Sequence, residues 1–218
     1  MINSSKRKLA LAGWLQVNDI ISYNVPLKLQ KFIFFYECAC KVNEKPYEFD
    51  RLKGYKNGPV FSAVWGDYTK DRHEFDTHAK EEYESNTIDN NIALKIGFFI
   101  KTCTEEELSE ITRTMNIWNA KKDRILSNEY QVPLDDDDFN SEDKQLINNI
   151  LSVYPLEVIN NSEVITIKNK VFILSKKDST ELSPQQWDTL NELSNLNELE
   201  NPIHIAIDKE KKGRLLVD

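Results

Sequence analysis

The stretch Lys28-Leu29-Gln30-Lys31-Phe32-Ile33-Phe34-Phe35-Tyr36-Glu37-Cys38-Ala39-Cys40 decides how the rest of the chain is read. Leu29, Phe32, Ile33, Tyr36 and Cys40 recur at the three- and four-residue spacing of one helix face. Phe34 and Phe35 carry apolar surface onto the other sides, and a helix apolar all round is a buried one. Pro26 stands where the first turn of such a helix accepts a residue without an N–H. The spacing therefore predicts a central core helix that begins near Pro26. Cys38 and Cys40 fall within it, where free cysteine behaves as a small apolar side chain. Their single-residue spacer differs from that of common zinc sites, and only Cys103, His73, His78 and His204 remain to complete a ligand set.

Upstream, Leu11, Trp14 and Leu15, then Val17, Ile20 and Ile21, predict a helix over about residues 6–21. Lys6-Arg7-Lys8 ahead of Leu9 to Leu15 imitates a signal peptide. The apolar run stops at Gln16, with Asn18 and Asp19 close behind, so a helix retained in the mature chain is expected, with the basic trio exposed. Downstream, Asn43 to Pro46 is a polar turn, and a short extended piece is expected between Phe49 and Tyr55. Gly58-Pro59 punctuates the chain, and Pro59 is expected to open a helix in which Phe61, Trp65 and Tyr68 share a face. Residues 71–87 are polar and read as a loop. Ile88, Ile92, Ile96 and Phe99 mark another helix, and Thr104-Glu105-Glu106-Glu107 has the form of a capping box. No apolar run approaches the roughly 20 residues of a membrane span.

The 218-residue chain has a net charge of -8, unevenly spread. Residues 1–128 hold 19 Lys and Arg against 18 Asp and Glu; residues 129–218 hold 9 against 18. Pro133 and the run Asp135-Asp136-Asp137-Asp138 follow the change. Two domains are therefore expected: a mainly helical one over 1–128 and a small acidic α+β unit over 129–218, an α+β chain as a whole. In the second, a helix is expected near 141–153. Val164 to Ile167 and Val171 to Leu174 flank a short loop as a hairpin. Ser183-Pro184-Gln185-Gln186 starts a helix, while Ile203, Ile205 and Ile207 alternate as a strand, with another at Leu215 to Val217.

Reactive constellations are missing from the pattern. There is no dinucleotide-binding glycine motif, P-loop, zinc-protease motif or nucleophile elbow. An EF-hand loop starting at Asp135 needs Gly and Glu where Asn140 and Leu146 stand. The Asp run reads instead as a solvated linker, or as an acidic surface that steers a basic partner. A globally acidic chain is a poor holder of duplex DNA. No catalytic residue, metal ligand or cofactor is expected.

Four stretches carry a resemblance. They are Lys28 to Tyr36, Lys45-Pro46, Tyr55-Lys56-Asn57-Gly58-Pro59-Val60 with Val64 and Tyr68 beyond it, and Glu107 to Thr112 followed by Trp118. Together they resemble, in order, the Panacea domain family over roughly residues 6–125. Asn57, Arg113 and Ile117 depart from its usual aromatic, histidine and proline. The resemblance implies a mostly helical, non-catalytic domain of the kind found in antitoxins of toxin–antitoxin pairs and in phage-associated proteins. It implies structural roles for Leu29, Gln30, Lys31, Gly58, Pro59, Val60 and Trp65, with Gly58 turning the backbone, Pro59 starting a helix, and Trp65 and Trp118 packing. Tyr55, Asn57, Trp118 and Asp135 to Asp138 are the candidate partner contacts. The expected function is cytoplasmic neutralisation of a toxin encoded by a neighbouring gene. The alternative is a phage-encoded inhibitor or adaptor of a host defence or nuclease complex, its acidic half mimicking nucleic acid.

Overall fold

Helix α1 (Lys6–Asn18) starts on Ser5, whose hydroxyl accepts the Lys8 amide at 3.3 Å. A short α2 (Ile20–Tyr23) starts on Asp19 and leads into α3 (Pro26–Val42), which has Pro26 in its first turn. Every residue of α3 from Leu29 to Cys40 is buried, as expected of a helix with apolar residues on all sides, and the polar Gln30, Lys31 and Glu37 are buried with them. The computed structural model describes residues 2–86, 88–208 and 213–218. After α3 come β1 (Leu52–Tyr55), β2 (Gly58–Phe61), α4 (Ser62–Lys70), α5 (Arg72–Ser85), α6 (Asn90–Thr102), α7 (Glu105–Thr114), α8 (Asn116–Asn119), α9 (Lys122–Leu126), β3 (Val132–Pro133) and α10 (Ser141–Val153). β1 lies between β2 and β3, antiparallel to both.

Most of the polar segment 71–87 expected to be a loop is α5, flanked by Asp71 and Asn86; Thr87 lies outside the described residues. Only Phe75 and Ala79, four apart, are buried in it. Two apolar positions make too thin a stripe to see by periodicity, yet Glu, Lys, Arg and Ala are good helix formers. Asp71 caps it by accepting the Glu74 amide at 3.0 Å. Gly13 lets α1 lie close against it, because a Cβ there would stand 2.0 Å from the Ala79 carbonyl oxygen.

Of the basic trio expected to be exposed, Lys6 is, Arg7 is partly buried and Lys8 is buried. Lys8 is buried, and α1 is tied to α3 through Glu37, which is fully buried. Arg7 Nε and Nη2 donate to the two Glu37 carboxylate oxygens at 2.9 and 3.0 Å, and Lys8 Nζ donates to the same carboxylate. The Glu48 amide donates to Glu37 at 3.2 Å, and Lys8 also donates to the Glu48 carbonyl at 2.6 Å. Burial pushes the Lys8 amine below its ordinary range, and the Glu37 charge pulls it back up.

The chain forms two compact units, Met1–Ile100 with Glu105–Tyr154, and Lys101–Thr104 with Pro155–Asp218. The expected boundary at residue 128 is therefore displaced by one strand and one helix: β3 completes the first sheet, and α10 packs on α3. Composition misplaced it because the acidic segment belongs to the first unit. Residues 129–154 hold seven Asp and Glu against one Lys, whereas residues 155–218 hold eleven against eight Lys and Arg.

The second unit contains α11 (Leu156–Asn161), β4 (Ser162–Ile167), β5 (Lys170–Ser175), α12 (Lys176–Glu181), α13 (Pro184–Leu193), β6 (Ile203–Ile207) and β7 (Leu215–Val217). Its sheet runs β4-β5-β6-β7, with β5 and β6 parallel. Phe172 and Leu174 of β5 pack with Leu190, Ile203 and Ile205 as its core. Ser183 and Gln186 form the expected capping box. Among the described residues, no helix is long and apolar enough to cross a membrane.

Removing Glu37 leaves Lys8 as an uncompensated buried charge. Glu37→Ala is expected to cost about 3–5 kcal/mol in urea unfolding. Glu129→Ala, which breaks an exposed pair with Arg124, is expected to leave the urea midpoint nearly unchanged.

Candidate functional site

Hairpin β1–β2 pairs Lys53 with Val60 and Tyr55 with Gly58 across the two-residue turn Lys56-Asn57. Gly58 has φ 100°, where any side chain is strained. A Cβ there would also stand 2.4 Å from both Lys31 Nζ and Thr112 Oγ1. Pro59 does not open a helix. It lies in β2, and α4 starts three residues later at Ser62. A residue without an N–H suits this edge strand, where nothing is needed from it on the open side.

That open side is closed by α3. Gln30 Oε1 accepts the Phe61 amide at 2.9 Å. Lys31 Nζ donates to the Asn57 carbonyl at 2.7 Å and the Pro59 carbonyl at 3.4 Å. Gln30 is 2% exposed and Lys31 1%, so these bonds are made away from water. Edge groups left bare in such a place would each cost about 1–3 kcal/mol. Burial, with the Arg113 charge adding to it, lowers the Lys31 amine to about 7. On the other strand, Trp118 Nε1 donates to the Tyr55 carbonyl at 2.9 Å.

Beside the hairpin lies a groove of about 690 Å³ within the first unit. Pro26, Leu27 and Gln30 of α3 line it, as do Tyr55 to Asn57, Pro59, Val60, Trp65 of α4, and Asn128 to Gln131. Its lining is mostly apolar, and its size falls in the range of ligand and anchor-residue pockets. Trp65 is 44% exposed and Tyr130 83%, so two large rings stand open to solvent at its rim. Asn128 and Gln131 hold φ values of 64° and 52°, which places Tyr130 between two residues in left-handed backbone.

The structure sorts the candidate residues. Tyr55 and Asn57 line the groove together with Gln30, Lys31, Pro59, Val60 and Trp65; Leu29 is core. Trp65, expected to pack, is exposed. Trp118 packs as expected, at 2% exposed; it belongs to the framework and is not available as the partner contact for which it was also a candidate. Its turn α8 is held by Asp143, which accepts the Asn116 and Ile117 amides at 2.6 and 3.0 Å. Ile117 thus uses an N–H that proline at this place would lack.

The Asp run is no free acidic surface either. Lys121 pairs with Asp135 and Asp138 at 2.7 and 2.9 Å. Asp136 accepts from Lys41 and from the Tyr47 hydroxyl, both at 2.7 Å. Asp136 to Asp138 form a 3-10 turn within the first unit rather than a linker, with Asp135 to Asp137 exposed to solvent as expected. Tyr130 and Asn128 were invisible to sequence reasoning, because they reach the groove only through the path of residues 127–131.

Cys38 and Cys40 are buried, and burial pushes both thiols up, away from the reactive thiolate. His73 and His78 sit on α5, His78 beside Glu81 at 3.3 Å. Among the described residues, no three His, Cys, Asp or Glu are grouped to hold a metal ion. No family model, curated protein or solved structure matches the chain.

The Lys31 amine titrates lower in the folded chain than in the unfolded one, so the unfolded state binds more protons between about pH 7 and the ordinary lysine value of 10.5. The stability that Lys31 contributes should therefore rise with pH across that window. Compared with Lys31→Met, the wild-type chain is expected to gain more than about 1 kcal/mol in urea unfolding between about pH 7 and pH 9.

Proposed function

We propose that this chain is a non-catalytic antitoxin, which binds a protein toxin stoichiometrically through the groove beside the β1–β2 hairpin. One observation carries the proposal. Three of the stretches that resemble the Panacea domain family are far apart in sequence, yet they meet at this groove and in the hydrogen bonds that build its wall. Gln30 and Lys31 come from the first of the four stretches, Tyr55 to Val60 from the third, and Trp118 from the last; Lys45-Pro46 takes no part. Exposed aromatic side chains at the rim of an apolar pocket are the favoured anchors of protein interfaces. Three free cysteines, two of them buried, suit the reducing cytoplasm.

An antitoxin is favoured over a mimic of nucleic acid by the charge distribution. The acidic segment lies in the first unit, and three of its four consecutive aspartates already hold lysines of the same chain. The toxin is expected to be the product of a neighbouring gene.

Inducing that product alone should arrest growth, and co-expressing this chain should restore it, with the two proteins co-purifying. The doubly substituted Trp65→Ala, Tyr130→Ala chain should fail to restore growth and should bind the toxin at least about 30-fold more weakly, a loss of about 2 kcal/mol. Its own unfolding free energy should stay within about 0.5 kcal/mol of wild type, since both rings are exposed. Arrest without rescue by the wild-type chain would overturn the proposal.

A further inference from the structure

The groove has a chemistry that selects among the ways a protein partner can be held. Addition of a partner strand is closed on the β2 side, where Gln30 and Lys31 already occupy the edge. On the other side β3 is only two residues long, and one of them is Pro133. Charge offers no handle: Lys31 and Lys56 among the lining residues are balanced by Glu105 and Glu129. Glu129 is moreover taken by Arg124, whose Nε and Nη2 donate to its two carboxylate oxygens at 2.8 and 2.5 Å. A segment of strong charge of either sign finds no complement here.

Hydrogen-bonding capacity remains. The indole N–H of Trp65 and the side-chain amides of Asn57 and Asn128 have no partner among the described residues. A bound helix satisfies its own backbone and would set apolar side chains against these donors. A polyproline II segment has no internal hydrogen bonds and presents its carbonyls outward. Tyr55, Trp65 and Tyr130 all line the groove, and aromatic-lined grooves hold such segments by packing against their proline rings.

We infer that the groove recognises an uncharged, proline-containing extended segment of the partner protein, gripped by Tyr55, Trp65 and Tyr130 and hydrogen-bonded by Trp65, Asn57 and Asn128. This rests on the proposal that the groove faces a partner, but it is tested without one.

A random dodecapeptide display library is selected on the full-length chain, and the enriched peptides are measured by isothermal titration. The expected result is an uncharged consensus containing proline. Its binding should fall at least about 10-fold in Trp65→Ala and in Tyr130→Ala. Binding should be unchanged in Trp187→Ala, which removes a comparably exposed indole on α13. No enrichment, a charged or proline-free consensus, or binding indifferent to Trp65 and Tyr130 overturns the inference. Circular dichroism of each variant separates lost binding from lost fold. Because no toxin enters the assay, its failure leaves growth rescue intact, and a failure of rescue leaves the peptide result standing.

Discussion

The closure of the β2 edge by two buried side chains of α3 is the constraint on which the rest of the first unit depends. Gln30 and Lys31 are adjacent polar residues in a helix whose other buried residues, Glu37 apart, are apolar, and each is almost fully buried. Burial of a polar group is costly unless it is hydrogen-bonded. Here the cost is met from the hairpin, whose Phe61 amide and Asn57 and Pro59 carbonyls need partners of their own. Helix and hairpin thus satisfy each other's buried polar groups. The glycine at position 58 follows from the same contact, because the space that its Cβ would fill holds the Lys31 amine and the Thr112 hydroxyl.

The same logic runs through the charged residues of this unit. Glu37 gathers Arg7 and Lys8, Asp136 takes Lys41, and Lys121 takes Asp135 and Asp138. Groups that look in sequence like a basic arm and an acidic tail are cross-links between elements distant in the chain. What is left open at the hairpin is a nearly neutral, apolar groove with exposed rings. Such a surface suits recognition by shape and hydrogen bonding rather than by electrostatic steering.

Much of this was legible in the sequence. The buried helix from Pro26, the helix of α10, the β4–β5 hairpin and the capping box at Ser183 rest on local signals: apolar residues on all sides, period, loop length and cap chemistry. The elements that sequence reasoning misread are those where tertiary contacts decide. Helix α5 buries two residues, too few to leave a period. Pro59 suited a helix start by propensity, but the hairpin register places it in a strand. Trp118 packs as expected, but Trp65 does not: the helix face it was to share with Phe61 and Tyr68 is not formed, because Phe61 belongs to β2 and α4 starts only at Ser62. The charge step at residue 128 is real, but it marks a segment that β3 and α10 bind into the first unit. The groove itself was half legible. The motif residues at Tyr55, Asn57 and Pro59 lie on it, whereas Asn128 and Tyr130 arrive from a loop whose path only the fold reveals.

Native-state hydrogen exchange at the Phe61 amide tests the central claim most directly, because that amide is the group Gln30 is held to cover. In the wild-type chain it should exchange only through global unfolding, while the Lys56 and Asn57 amides of the turn exchange freely. In Gln30→Ala it should exchange by local opening, at a rate set by the hairpin alone. A Phe61 amide that exchanges in the wild-type chain as fast as those of the turn would contradict the account, because the edge would then be open and the wall of the groove would not exist as described.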